Sequence, residues 1–253
     1  NQNYGYIKTR DFEKLGISRP SIQGYIDKKI IRKVSRGLYI DNSLIEGLVG
    51  GQLVSSLLSV SSVTVAFSSN FLMVQDKVNG ITKDIGVSPV KSSTVSLSYY
   101  VASIIATSIV LIIAMIVSLI YLAIVGWYLS ALDVLLIFVN MLMLILFGTA
   151  LSSIINIFLS SQGQISAIGT IVGAGYGFIS GAYMPISSFS ETLQRIILFL
   201  PSIYGTSLIR NYSMRGVLKE IGNNGIPGEV IEKIKDSIDM NLYFFDNKVS
   251  IGS

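Results

Sequence analysis

The chain of 253 residues contains no cysteine and no histidine. The lack of cysteine excludes disulfides and thiolate catalysis, and the lack of histidine removes the side chain that most often exchanges protons near neutral pH. Only 13% of the residues are charged, whereas 51% are hydrophobic. Because no nucleophile–base pair or cluster of metal ligands can be assembled from the remaining residues, the sequence predicts no catalytic residue and no metal site.

Charge is scarcest in the middle of the chain. Between Lys91 and Glu191, Asp133 is the sole charged side chain. A soluble domain could not cover itself with so little polar surface, whereas apolar segments of about 20 residues joined by short turns are what a bilayer requires. The mean hydropathy of +0.62 agrees. The sequence therefore predicts an all-α polytopic membrane protein, and the absence of cysteine fits a bacterial cytoplasmic (inner) membrane.

The apolar segments predict about four membrane-spanning helices. Residues 187–253 are more polar, and we expect them to form interfacial and extracytoplasmic structure. Asp133 follows an aromatic turn, which favours a helix N-terminal acid at the outer interface over a proton relay. Asn140 and Asn156 could donate hydrogen bonds across helices. The four predicted spans are residues 48–71, 95–127, 132–159 and 165–186.

Glycines recur at every fourth position of the fourth predicted span. This spacing places them on one smooth face of a helix, where small residues allow a neighbouring helix to approach closely. We therefore predict a helix-packing face. Its members are Gly169, Gly173, Gly177 and Gly181.

A polar connector, residues 74–93, separates the first two predicted spans. It contains three lysines, whereas the two later predicted turns, residues 127–131 and 160–164, contain no lysine or arginine. The positive-inside rule therefore places the connector in the cytoplasm. Gly80 and the stretch 86–89 would bracket a short helix over residues 81–85, lying along the membrane surface.

The N-terminal region is basic. Residues 1–41 contain nine basic and four acidic side chains, a net charge of +5 against +4 for the whole chain. Residues 11–15 predict a short first helix, and Ser18 and Pro20 predict the start of a second helix after a tight turn. Residues 30–34 and 38–40 predict two strands of a wing. We therefore expect a small winged helix-turn-helix module over residues 1–45. Its candidate DNA-binding residues are Ser18, Arg19, Ser21, Gln23, Arg32, Lys33 and Arg36.

Three short matches carry a family resemblance in this region: Gly5-Tyr6-Ile7, Gly16-Ile17-Ser18 and Arg36-Gly37-Leu38-Tyr39. In their order they resemble the N-terminal winged-helix domain of AbiEi-type antitoxins, which implies binding of duplex DNA through residues 1–45. A basic, solvated domain that binds no nucleic acid is the alternative, because basic patches also lie beside anionic membranes.

The second expected domain is residues 46–253, and roughly residues 47–253 of it resemble the permease subunit of ABC-2-type ABC exporters. The resemblance rests on the order of spans and on Gly80-Ile81-Thr82, Ser88-Pro89-Val90-Lys91, Tyr183-Met184-Pro185 and Leu200-Pro201. It implies a second permease copy or homologous half as partner, and export of a small amphiphilic or lipid-like substrate. It also implies a cytoplasmic coupling helix that docks on a separate ABC ATPase subunit. The implied coupling residues are Asp76, Lys77, Gly80, Ile81, Thr82, Lys83 and Asp84.

ATP binding is expected in that partner rather than in this chain. The sequence contains no G-x-x-x-x-G-K-[ST] motif, so no loop is available to hold the phosphates, and we expect no directly bound cofactor. The exporter core has six spans, so the resemblance also leads us to expect that the first and last are missing here.

The two resemblances conflict over topology. A first span at 48–71 followed by a cytoplasmic connector would place the basic N-terminal region outside the cell. DNA binding has no purpose there, and the net positive charge of this region would contradict the positive-inside rule. Our interpretation is that two unrelated pieces are joined near residues 41–47, by gene fusion or otherwise. The alternative function is a membrane-tethered or chimeric antitoxin-like DNA-binding transcriptional regulator.

Overall fold

The computed structural model describes residues 6–8, 18–28, 31–35, 38–87, 89–223, 228–244 and 247–249. A 3₁₀ turn, Ile186–Ser188, precedes the seventh described helix. The described elements are β1 (Tyr6–Lys8), α1 (Arg19–Asp27), β2 (Ile31–Ser35), β3 (Leu38–Asp41), α2 (Asn42–Val78), α3 (Ile81–Gly86), α4 (Ser92–Val125), α5 (Ala131–Phe158), α6 (Gln162–Ile179), α7 (Glu191–Ile197), α8 (Pro201–Asn223), α9 (Gly228–Ser237), β4 (Leu242–Phe244) and β5 (Asn247–Val249).

The N-terminal region contains an antiparallel three-stranded sheet in the order β1–β3–β2. The two predicted wing strands are β2 and β3, which pair with a register shift between Lys33 and Ser35. Helix α1 begins with a proline in its first turn, as predicted, and buries Ile22. The predicted first helix of the module, residues 11–15, lies outside the described residues. The winged helix-turn-helix therefore stays a prediction.

Helix α2 is the central element of the bundle. It begins directly after β3, where the Ser43 amide donates a 2.9 Å hydrogen bond to the carboxylate of Asp41. Its 37 residues extend for about 55 Å at 1.5 Å per residue, beyond the roughly 30 Å apolar core of a bilayer. The helix is thus longer at both ends than the predicted span 48–71, and it packs against α4, α5, α6 and α8.

The two ends of the bundle can be told apart by what α2 meets there. At one end Gly47 lies against Tyr128 in the turn between α4 and α5. At the other end the Lys77 ammonium donates hydrogen bonds to the carbonyl oxygens of Ile157 and Leu159, at the end of α5. We call these the Tyr128 end and the Lys77 end. Helices α2, α4 and α5 therefore run alternately between the two ends.

Within the described part of the chain, three helices are long and apolar enough to cross a membrane: α2, α4 and α5. Helices α4 and α5 correspond closely to the predicted spans 95–127 and 132–159. The fourth predicted span, 165–186, forms the shorter α6, which is not among them. A fourth candidate is instead the pair α7 and α8, bent by 90°. The chain is a multi-pass membrane protein.

Helix α8 departs most from the sequence-based expectation. Residues 187–253 were expected to be interfacial and extracytoplasmic, yet α8 packs against α2 and α5, with Ile209 and Met214 fully buried. Gly205 lies against Leu144 at mid-length of α5, and Val217 lies beside Gly47 at the Tyr128 end. Helix α8 thus runs from the middle of the bundle to one end. Its polar composition hid this position, because several of its polar side chains are satisfied by partners elsewhere in the fold.

Candidate functional site

The connector between α2 and α4 is an exposed short helix at the Lys77 end. Gly80 adopts a left-handed conformation, with φ of 84°, and starts α3. Because this conformation strains other residues, glycine makes the sharp turn possible. None of the six residues of α3 is buried, and Ile81 is 42% exposed. The predicted short helix is therefore present, one residue longer than expected.

The seven predicted coupling residues fall into two groups. Asp76 and Lys77 are tied to the bundle: Asp76 accepts a 2.6 Å hydrogen bond from the Tyr99 hydroxyl of α4, and Lys77 caps the end of α5. The other five are Gly80 and the first four residues of α3, where Lys83 and Asp84 are exposed and Thr82 is half-buried. Next to them Val87 is 89% exposed, an apolar surface residue that the sequence analysis did not select.

The candidate DNA-binding residues are described only in part. Ser18 is exposed at the start of α1, and the Gln23 amide donates a 3.1 Å hydrogen bond to Asp27. The side chains of Arg19, Ser21, Arg32 and Lys33 lie outside the described part of the structure, as does residue Arg36. Their predicted contacts with DNA stay predictions.

The four glycines expected to form one helix face do not all lie on one helix. Gly181 follows the end of α6 and has φ of 71°. Gly169 faces Phe71 of α2, and Gly177 meets Tyr183 of the loop that follows α6. No described atom lies within 4 Å of where a Gly173 Cβ would be. Gly181 lies off the predicted helix face because α6 ends at Ile179. Packing of another helix against Gly173 stays a prediction.

Asp133 lies in the first turn of α5, as predicted. It forms a capping box with Ser130, and its carboxylate pairs with Arg215 of α8 at the Tyr128 end. The acid therefore closes a helix end and joins two helices. Asn156 donates a 3.0 Å hydrogen bond to the Asn70 carbonyl of α2, whereas Asn140 bonds within its own helix. Of the two asparagines, Asn156 makes the predicted contact across helices.

A groove between α2 and α4 is a feature that the sequence analysis missed. Its volume is about 730 Å³. The many serines of α2 were the sequence feature that could have indicated this groove. They have two different environments: Ser55, Ser59 and Ser62 are buried in the bundle, whereas Ser56 and Ser61 line the groove. The remaining polar lining comes from Gln52, Ser118, Tyr121 and Tyr183.

A buried ion pair lies next to this groove. The Arg210 guanidinium donates a 2.8 Å hydrogen bond to the Gly181 carbonyl and lies 3.6 Å from the Asp239 carboxylate. Asp239 also accepts a hydrogen bond from the Ile186 amide. The pair thereby fixes the loop 181–186 against α8 and the segment after α9. No group of three or more acidic side chains among the described residues is placed to hold a metal ion.

The bundle of long apolar helices with an exposed connector defines the class of protein: a polytopic membrane protein. A family model described as ABC-2 family transporter protein matches residues 20–227. The chain belongs to this family, whose members are membrane components of ABC transporters. The match includes the region of the expected join at 41–47. No curated protein and no solved structure matches the chain.

Proposed function

We propose that the chain is the permease subunit of an ABC exporter, and that a separate ABC ATPase subunit hydrolyses ATP and contacts α3. Membership of the ABC-2 transporter family supports the permease role. The observation that carries the coupling role is the exposed helix Ile81–Gly86, which projects from the end of the central helix and buries none of its own residues.

The attachment of the connector explains how movement would be transmitted. Asp76 is bonded to α4 through Tyr99, and Lys77 is bonded to the last carbonyls of α5. A displacement of α3 therefore acts on three helices at once. The charged pair Lys83 and Asp84, with the neighbouring apolar Val87, gives an ATPase both an orienting and a hydrophobic contact.

The proposed assembly contains a second permease copy or a homologous half in the bacterial cytoplasmic membrane, and its cargo is a small amphiphile or lipid-like molecule. An amphiphile is favoured because the α2–α4 groove combines apolar walls with several hydroxyl groups. We do not extend the proposal to transcriptional regulation, since the family match concerns membrane transport.

The coupling role is tested by exchanging the charges of Lys83 and Asp84. The double substitution Lys83→Glu/Asp84→Lys keeps the net charge but reverses the local pattern, so we expect co-purification of the ATPase to fall at least about tenfold, equivalent to roughly 1.4 kcal/mol. The measurement is the amount of ATPase recovered with the tagged permease from membranes.

The matched control exchanges two charges on α9, which is far from α3 in the chain. Glu229→Lys/Lys233→Glu alters two exposed residues of α9 and should leave ATPase recovery unchanged. Equal recovery with both charge-exchanged proteins would contradict the assignment of α3 as the coupling helix.

A further inference from the structure

The α2–α4 groove lies where the two helices separate between two close approaches. Towards the Tyr128 end, a Cβ on Gly50 would lie 3.3 Å from Leu122. Towards the Lys77 end, the Ser103 hydroxyl is 3.4 Å from the Ala66 carbonyl. Between these points the groove is lined by residues 52–61 of α2 and 117–121 of α4. It therefore occupies the half of the bundle nearer the Tyr128 end.

The groove has the dimensions and chemistry of a small-molecule site. Its volume of about 730 Å³ lies within the range of about 300–1,000 Å³ found for such sites, which combine apolar walls with a few polar groups. Leu53, Leu57 and Val117 provide apolar surface. These three residues are also exposed on the outside of the bundle, so the groove is continuous with a surface suited to acyl chains.

Two polar groups of the lining lack partners within the structure. Gln52 Oε1 and Ser56 Oγ are shielded from solvent and have no hydrogen-bond partner among the described residues. Because Gln52 Oε1 is shielded, a donor reaches it only after the Gln52 amide, which belongs to the groove wall, rotates towards the groove. An unsatisfied buried carbonyl costs free energy, so a donor in the groove favours that rotation. Because an amide oxygen can only accept, the complementary occupant carries a hydroxyl or amine group.

A smaller cavity lies beside the groove. It has a volume of about 70 Å³ and shares Gln52, Ala182 and Tyr183 with the groove. Its other wall includes Asp239 and the exposed Ser237. The shared wall belongs to the loop that Arg210 and Asp239 hold in place. The polar end of an occupant would therefore lie beside Gln52, which lines both the groove and the smaller cavity.

We propose that the α2–α4 groove binds a hydroxyl- or amine-bearing amphiphile, with its donor group at Gln52 and its acyl chain along Leu57 and Val117. This inference rests on the proposed export function, because it assigns a class of cargo to that transporter. Gln52 is the specificity residue: it distinguishes an amphiphile with a hydrogen-bond donor from one of the same shape without it.

The test uses the full chain, co-expressed with its ATPase subunit, in lipid vesicles. The probe is a monoacylglycerol that carries a photoreactive diazirine in its acyl chain, and the comparison probe has both hydroxyls methylated. We expect the hydroxyl probe to label residues 52–61 and 117–121 about five- to tenfold more than the methylated probe, the effect of one hydrogen bond to a buried acceptor. Labelled peptides are quantified by mass spectrometry.

Two variants locate the binding. Ser118→Trp fills the groove from a position that is 5% exposed and should reduce labelling at least about fivefold. Ile113→Trp changes a 58% exposed position of the same helix outside the groove and should not. Gln52→Leu should remove the preference for the hydroxyl probe while leaving total labelling by the methylated probe unchanged, a result that does not depend on the tryptophan variant folding.

Several outcomes would overturn the inference: equal labelling by both probes, labelling confined to outer positions such as Ile113, or groove residues that cross-link to a helix of a partner or second copy in place of the probe. None of these readouts requires ATPase coupling. If the groove fails while ATPase recovery still depends on Lys83 and Asp84, the export proposal stands without it. If the charge exchange has no effect but the groove is labelled, the coupling proposal fails instead.

Discussion

Arg210 is the residue whose position is hardest to reconcile with its chemistry. Its side chain is 1% exposed, and its Nε has no hydrogen-bond partner among the described residues. Burial raises the pKa of its partner Asp239, so the cost of removing the carboxylate from water outweighs the attraction of Arg210. The pair therefore holds two segments together without being a strong source of stability.

Removing one member of this pair should be worse than removing both. Asp239→Asn leaves a buried guanidinium without a counter-ion, and we expect a loss of about 3–5 kcal/mol, whereas Arg210→Met/Asp239→Asn should recover a large part of it. Thermal unfolding in detergent measures the difference. Glu229→Gln, at an exposed position, is the control; a double variant no more stable than Asp239→Asn would contradict the argument.

Glu232 gives a pH dependence at the residue scale. Hydrogen bonds from Lys235 and Lys248 lower its pKa from 4.5 to about 2. A lowered pKa stabilises the fold above about pH 4.5, and this contribution is lost as the pH falls from there towards 2. Because Glu232 is about half exposed, the contribution is below about 1 kcal/mol.

We expect the β4–β5 hairpin to lose protection from hydrogen exchange by up to about fivefold between pH 6 and pH 3, after correction for the intrinsic exchange rate. Glu232→Gln should begin at the lower protection and change less. Asp236, which accepts hydrogen bonds from Asn241 and Tyr243, is present in both proteins and so does not distinguish them. Glu229→Gln should behave like the unaltered chain; an identical pH response in the Glu232→Gln protein would refute the assignment.

At the scale of elements, close approach of backbones fixes where α8 packs. A Cβ at Gly216 would collide with the backbone carbonyl oxygen of Tyr128, which cannot rotate away. Gly216→Ala should therefore force α8 from the turn between α4 and α5 and cost about 2–3 kcal/mol. Differential scanning fluorimetry in detergent would show the loss as a lower unfolding temperature.

Gly173→Ala is the opposite case and the matched control. No described atom lies within 4 Å of its added Cβ, so the exchange should stabilise α6 by up to about 1 kcal/mol. If Gly173 packs against a second copy, the same variant should instead weaken the dimer on gel filtration. Equal stability of the Gly216 and Gly173 variants would contradict the close approach at Gly216.

For the whole molecule, the central prediction is that the connector and α9 lie on opposite sides of the membrane. The chain contains no cysteine, so a single introduced cysteine is the only thiol of this protein that a maleimide can label. Lys83→Cys should react with a membrane-impermeant maleimide only after intact cells are permeabilised, whereas Glu229→Cys should react beforehand. The unaltered chain is the control for labelling. Reaction of both positions from outside would exclude the proposed orientation.

Periodicity and hydropathy predicted the parts of the fold that depend on local sequence. The long apolar runs of α4 and α5 cannot be soluble, and Gly80 marks the turn before α3. The capping role of Asp133 also follows from its position in the chain, because a helix N-terminus favours a nearby acid whatever lies around it. The connector could therefore be selected as a candidate site before its contacts were known.

The parts that depend on distant partners could not be read in this way. From its sequence, helix α8 looks too polar to lie in a bundle. It packs there because Arg210 and Arg215 pair with Asp239 and Asp133, which are far away in the chain. The α2–α4 groove likewise arises from two helices that touch at Gly50 and separate at Gln52. The sequence by itself determined a membrane protein with an exposed polar connector, since those properties are sums over local composition. Only the tertiary structure decided which polar groups are paired and which line an open groove, because that depends on what lies opposite them.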